Sequence, residues 1–509
     1  LRPISALIVF LCLAAPARGQ EPLSAIDWLQ EPFPATVVQP RNPQTGPPVA
    51  EEVETPAVTV VPMGETRPDA VGLLPGSTTG LPSDLWQAGR EGSVVAALER
   101  LDGSPLPAMQ ALYYTLLLAE ADPPADAGPD ASFLKARIAA LRRFGAVNPA
   151  LALLDRAGPA RPALFDPWLD LALLDGEEGR PCRVLAARPR LSDSYAKRVY
   201  CTARAGEWAT AAVIYDSAVA LDLLSDRQAD LLAQFLDPET VGRSPGLAPP
   251  QEVTPLLFRL YEAAGSPLPT GNLPRAFAVA DLRPTAGWKV RLDAAERLAR
   301  TGALPANRLL GLYTEREPPA SGGVWERAAA VQALDKALSK NDAETVARVL
   351  PGAWADMRRQ NLATPFAEIF GTRLARIALE GPARAAAFRA ALLSPEYEAA
   401  IAAFVPQTRA ERFLAGLARG TPPAQAARTP LEKAITAAFA ASGPAPAQAP
   451  LLEAGKLGQA ILAAGHQIDT AAPGQVARIR AGLQTLLAVG LEDTARRAAL
   501  QLLILPART

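Results

Sequence analysis

From Ser83 onward, apolar residues recur at i, i+3 and i+4, the spacing that puts one apolar stripe on a helix. The pattern predicts helices over Leu106–Ala121, Asp130–Phe144, Pro149–Ala157, Ala163–Leu174, Glu207–Leu221 and Asp226–Leu236. It resumes over Ala286–Arg300, Pro305–Tyr313, Val324–Leu338, Ala343–Arg359 and Pro365–Leu379. From Arg384 to Thr509 the helices become very rich in alanine, which lets them pack closely while each buries less area. One turn recurs at Arg143–Ala150, Arg204–Ala211, Arg300–Asn307 and Val489–Ala495. In each, a glycine closes one helix and the next begins within a few residues, as in stacked helical hairpins of the TPR type. The full TPR consensus is absent. The expected fold is all-α, a degenerate TPR-like helical-repeat solenoid, with an irregular all-α domain as the alternative the residues leave open.

Two breaks divide this pattern. Proline, glycine and serine cluster within Asp237–Glu252, which predicts an N-terminal helical-repeat domain over 83–240 and a C-terminal one over 250–509. A second irregular stretch spans Gly265–Arg275.

Residues 20–82 read differently. Prolines stand at 32, 34, 40, 43, 47, 48, 56, 62, 68, 75 and 82, and acidic residues far outnumber Arg41 and Arg67. Such a segment cannot bury enough apolar surface to fold, so a disordered, Pro-rich acidic arm is expected over 20–82. One short helix is expected in it at 24–30, with Ser24 as cap and Ile26, Trp28 and Leu29 as an apolar patch. That patch suits docking in a partner's groove, or folding back onto the chain's own body. Before the arm, Arg2, the apolar run Ile4–Ala15 and Ala17-Arg18-Gly19 form a signal-peptide pattern over 1–19. The run is too short to span a bilayer, and no later segment is apolar enough, so a periplasmic protein without a membrane span after cleavage is expected.

Composition then narrows the chemistry. A single histidine, His466, cannot build a histidine-rich metal centre and makes a Ser-His-Asp or Cys-His catalytic set improbable. A net charge of −1 gives no footprint for nucleic acid. Cys12 leaves with the signal peptide. Cys182 and Cys201 remain, and in an oxidising compartment they are expected to form a disulfide between helices near Arg180–Ala187 and Asp193–Arg204; two buried free thiols are the other reading. Gly242–Gly246 matches G-x-S-x-G, but Pro245 lacks the backbone N–H that the oxyanion hole of such a motif needs. Ser321, Gly322 and Gly323 precede a helix. They are expected to form a tight capped turn, with Trp325 stapling the helix to its neighbour, rather than an anion site. Arg316, between Glu315 and Glu317, reads as part of a solvated ion-pair loop. His466, just after Ala464-Gly465, reads as a capping or surface residue. No catalytic residue, metal or cofactor is expected, and the chain reads as no enzyme.

The runs Ser24–Leu29, Asp69–Pro75, Leu81–Trp86, Gly311–Arg316 and Val324-Trp325, with the leader–arm–helical layout, resemble the periplasmic flagellar-motor accessory proteins of alphaproteobacteria of the MotC and MotK kind. The resemblance implies a role in flagellar rotation through the periplasmic part of the stator protein MotB. It carries over no functional residue. The combined expectation is a non-enzymatic periplasmic scaffold that binds a periplasmic or membrane-anchored protein, with Ile26, Trp28, Leu29, Arg316 and Trp325 as candidate partner contacts. A regulator of a cell-wall (peptidoglycan) enzyme and an envelope-assembly adaptor are the alternatives.

Overall fold

The computed structural model describes residues 67–237 and 250–506, which fall within one compact unit, Gly64–Thr509. The expected signal peptide, the arm up to residue 66 with Ile26, Trp28 and Leu29, and the Gly242–Gly246 run lie outside the described residues. The fold is all-helical. Among the described residues there is no strand, only an isolated bridge between Leu74 and Ala119.

The first correction concerns 67–82, expected as the end of the disordered arm. Asp69, Val71 and Gly72 are buried in the body, while 75–78 stay exposed. A short 3₁₀ turn at Pro68–Ala70 and a single-turn helix α1, Gly76–Thr79, hold them. The fully buried Arg137 explains this: its guanidinium donates to the carbonyls of Leu117 and Ala119 and also to those of Asp69 and Val71. Asp69 in turn accepts from the backbone N–H of Leu134 at 2.7 Å. One arginine thus satisfies carbonyls on two segments that burial would otherwise leave unpaired.

Next come α2 (Glu91–Glu99), α3 (Pro107–Leu118), α4 (Ser132–Phe144), α5 (Val147–Ala157) and α6 (Pro162–Asp175). They continue as α7 (Gly179–Ala187), α8 (Tyr195–Arg204), α9 (Trp208–Ala220) and α10 (Asp226–Leu236). Beyond 250 stand α11 (Pro255–Ala263), a 3₁₀ stretch Arg275–Leu282, α12 (Trp288–Ala299), α13 (Ala306–Tyr313) and α14 (Val324–Ser339). Then follow α15 (Ala343–Arg359), α16 (Ala363–Leu374), α17 (Gly381–Leu393), α18 (Tyr397–Ile401) and α19 (Arg409–Ala418). The last are α20 (Pro430–Phe439), α21 (Ala449–Glu453), α22 (Leu457–Asp469), α23 (Val476–Ala488) and α24 (Glu492–Ile504).

Local signals place most of these ends. Ser225 with Gln228, and Thr429 with Glu432, form reciprocal capping boxes at α10 and α20. Proline opens α3, α6, α11 and α20, where its missing N–H costs nothing. All four recurring turns close on a left-handed glycine: Gly145, Gly206, Gly302 and Gly490. Asn341 and Asn361 take the same backbone conformation after α14 and α15, as short polar side chains can. The helix expected over Pro365–Leu379 stops at Leu374, because Ile377 and Leu379 leave the helical path to pack against the core.

Consecutive helices pack on one another as hairpins, notably α7 on α8, α8 on α9, α14 on α15, α16 on α17 and α22 on α23. Two longer-range sets of contacts matter more. Helix α6 packs on α11, and α4 on the Arg275–Leu282 stretch, so the helices on either side of 238–249 share one apolar core. Helices α22 and α24 pack on α3, and α22 also packs on α2. At this junction Asp469 accepts from the backbone N–H of Leu106 at 2.7 Å and Gln501 from that of Ala108 at 2.7 Å. Helix α3 has no side-chain cap of its own. Its free N–H groups are met by residues from the far end of the chain.

Candidate functional site

Helices α2 and α22 face each other across a groove of about 790 Å³. On α2 the lining residues are Gly92, Ser93, Ala96 and Ala97, with Arg100 just past its end; on α22 they are Gln459, Leu462, Ala463, His466 and Gln467. Both sets follow helical spacing, so each forms one stripe on one face. The alanines explain the space, because short side chains on facing stripes leave the gap unfilled. Gln448 and Arg478 complete the wall.

Helix α22 is fixed at both ends. Near its start, the Gly458 N–H donates to the carbonyl of Leu85 at 3.1 Å, and the Trp86 ring lies so close that a Cβ on Gly458 would fall 2.4 Å from it. Near its end, Gly465 lies under Tyr113, whose hydroxyl would meet a Cβ at 2.6 Å. That hydroxyl donates to Asp469 at 2.7 Å.

The groove wall is polar but contains no carboxylate. Arg478 donates to the Thr470 hydroxyl and carbonyl and to Gln475, which holds its guanidinium at the rim without neutralising it. Arg100 forms no ion pair among the described residues. Gln448 is buried, and its amide oxygen accepts from Thr485 at 3.4 Å. The amide oxygens of Gln459 and Gln467 are buried and have no hydrogen-bond partner among the described residues.

His466 therefore corrects its expected place. It sits inside α22, which runs through Gly465 to Asp469, and it is half-buried on the groove wall. Small residues at Ala463, Ala464 and Gly465 look like a helix end in sequence, but here they let α3 and the groove approach the helix. The glutamines were missed. Their positions on one stripe of α22 are visible in the sequence, but what faces them is not.

Cys182 and Cys201 form a disulfide that joins α7 to α8, as expected. Trp325 is packed within the fold, its ring centroid 4.9 Å from that of Trp288, as the staple reading expected. The turn before it carries no side-chain cap from Ser321; Gly322 and Gly323 are both left-handed there, and Gly323 takes the cap position. Arg316 is mostly exposed and lies 3.4 Å from Glu315, which also pairs with Arg291 at 2.8 Å. The structure brings neither Arg316 nor Trp325 to the α2–α22 groove.

A second surface stands out on α9. Only Ala211 and Ala218 of this apolar helix are buried. Val213 is 65% exposed and Leu221, just past its end, 66%; Trp208, Val219 and Leu223 are also exposed. The Trp208 ring lies against that of Phe235, at 5.6 Å between ring centroids. Glu207 and Asp222 flank the two ends of this stretch, and Asp216 lies between Val213 and Val219 around the helix, all exposed.

No helix among the described residues is long and apolar enough to cross a membrane. The chain matches no family model, no curated protein and no solved structure.

Proposed function

We propose that this chain is a non-enzymatic helical-repeat scaffold that works in the periplasm by binding a protein partner. The observation that carries the reading is the exposed apolar face of α9. Several large apolar side chains exposed on one short stretch of a folded body favour an interaction surface. The exposed Glu207, Asp216 and Asp222 among these apolar residues favour a partner that offers basic as well as apolar side chains. The Cys182–Cys201 disulfide fits an oxidising compartment. A photo-reactive amino acid at Val213 tests the reading in cells, with Glu344 on α15 as the control position. A crosslink from 213 to a different envelope protein, absent from 344 and lost in Trp208→Glu, supports it. Crosslinks only between copies of this chain, or none, overturn it.

The resemblance in short sequence runs supplies the most specific version, in which the partner is the periplasmic part of the stator protein MotB. A deletion strain that assembles flagellar filaments but rotates them poorly is the outcome expected from this version. Normal swimming removes it.

A further inference from the structure

We infer that the groove between α2 and α22 is a binding site for an acidic peptide segment in extended conformation. The inference goes beyond the partner-binding reading and rests on a different surface from α9, so the two can fail separately.

Three features of the groove converge on this ligand. The first is hydrogen bonding. Gln459 and Gln467 line the groove wall, and a side-chain amide can both donate and accept. An extended peptide offers backbone N–H groups at regular spacing, and the glutamine NH₂ groups can donate back to its carbonyls. The second is charge. Arg100, Arg478 and His466 line the wall with no carboxylate among the lining residues, and neither arginine is ion-paired among the described residues. A guanidinium pairs with a carboxylate through two parallel hydrogen bonds, so acidic side chains are the complement. The third is shape. Ala96, Ala97, Leu451, Leu462 and Ala463 give an apolar floor, and a volume of about 790 Å³ lies within the usual range for a bound ligand of several residues. A purely apolar ligand would leave the arginines without a partner. A nucleic acid would gain from the arginines, but the alanine floor offers no aromatic platform for its bases.

The probe is the fluorescein-labelled hexapeptide Glu-Ala-Asp-Ala-Glu-Ala, amidated at its C-terminus, read by fluorescence anisotropy against the full chain. The comparison peptides are Gln-Ala-Asn-Ala-Gln-Ala with an amidated C-terminus and the same neutral peptide with a free C-terminal carboxylate. The expected result is saturable binding of the acidic peptide, with the neutral amidated peptide weaker by about tenfold or more, the loss of one charge-assisted hydrogen bond or more. Arg100→Gln weakens the acidic peptide by about tenfold and leaves the neutral one unchanged. Ala97→Trp, which fills the groove, abolishes binding of both while circular dichroism and Tm stay at the parent values. Gln467→Leu weakens both peptides, because it removes a contact to their shared backbone. Equal binding of acidic and neutral peptides, insensitivity to Ala97→Trp, or no saturation by the acidic peptide overturns the inference. So does binding of the free-carboxylate neutral peptide as tight as that of the acidic one, which would make the site a reader of chain ends. Competition by a peptidoglycan stem-peptide fragment at concentrations at least tenfold below the acidic peptide also overturns it.

Discussion

The Tyr113 hydroxyl donates to Asp469 at 2.7 Å across 356 residues of chain, while the other oxygen of that carboxylate accepts from the Leu106 N–H. Both residues are buried. Removing the carboxylate strands two donors at once, so Asp469→Ala is expected to lower unfolding free energy by about 2–4 kcal/mol. Tyr113→Phe removes one donor only and costs about 1 kcal/mol. The double variant is expected to cost less than the sum, and urea denaturation of the four proteins measures the difference. Additive losses would mean that the pair does not interact.

Arg137 makes the second prediction. Burial pushes its guanidinium down to about 10, which still leaves it charged at neutral pH. Arg137→Met keeps the bulk but leaves the carbonyls of Asp69, Val71, Leu117 and Ala119 without their donor. A loss of about 3–5 kcal/mol is expected. Limited proteolysis gives a localised readout: cleavage within 67–82 should become faster than cleavage elsewhere.

The disulfide is worth about 3 kcal/mol by the loop-closure relation for 19 residues of separation. The Cys182→Ala/Cys201→Ala chain should therefore unfold at lower urea concentration than the parent under non-reducing conditions. In dithiothreitol the two midpoints should nearly converge. A thiol assay on the unfolded, unreduced chain should find neither cysteine free.

Glu432 gives a pH dependence. Burial raises its carboxyl, but the Thr429 and Arg428 N–H groups and the Arg409 guanidinium outweigh that and bring it below 4.5. A carboxyl lowered in the folded state adds stability that is complete above 4.5 and is lost as pH falls through the folded value. Glu432→Gln keeps the capping geometry and loses the charge, so it should cost about 1 kcal/mol at pH 7. The gap from the parent should close as pH drops below 4.5. A gap independent of pH would assign the effect to packing.

The helices were legible because their signals are local. Asp226–Leu236 and Ala343–Arg359 were read to the residue, since Ser225 and Asp342 cap them and the apolar stripe runs unbroken. The Cys182–Cys201 pairing was legible from the two short helices around it. The packing of 67–82 was not, because its proline content matches the arm and its anchor, Arg137, lies far along the chain among ordinary helical residues. The groove was hidden for the same reason. Its two walls are separated by more than 350 residues, and only the return of α22 to α2 makes one site of them. Arg316 and Trp325 drew attention as an unusual local run, and the fold uses Trp325 against Trp288.

The distant capping of α3 sets an order of events. A chain emerging N-terminus first makes Pro107–Leu118 long before Asp469 and Gln501 exist. Until they arrive, the Leu106 and Ala108 N–H groups must stay with water, and the ends of this body can close only after a loop of several hundred residues has been paid for in entropy. Full-length synthesis is thus built into the native state. A fragment that stops short of residue 457 lacks both caps and one wall of the groove, and so cannot present the peptide site while passing for a finished protein.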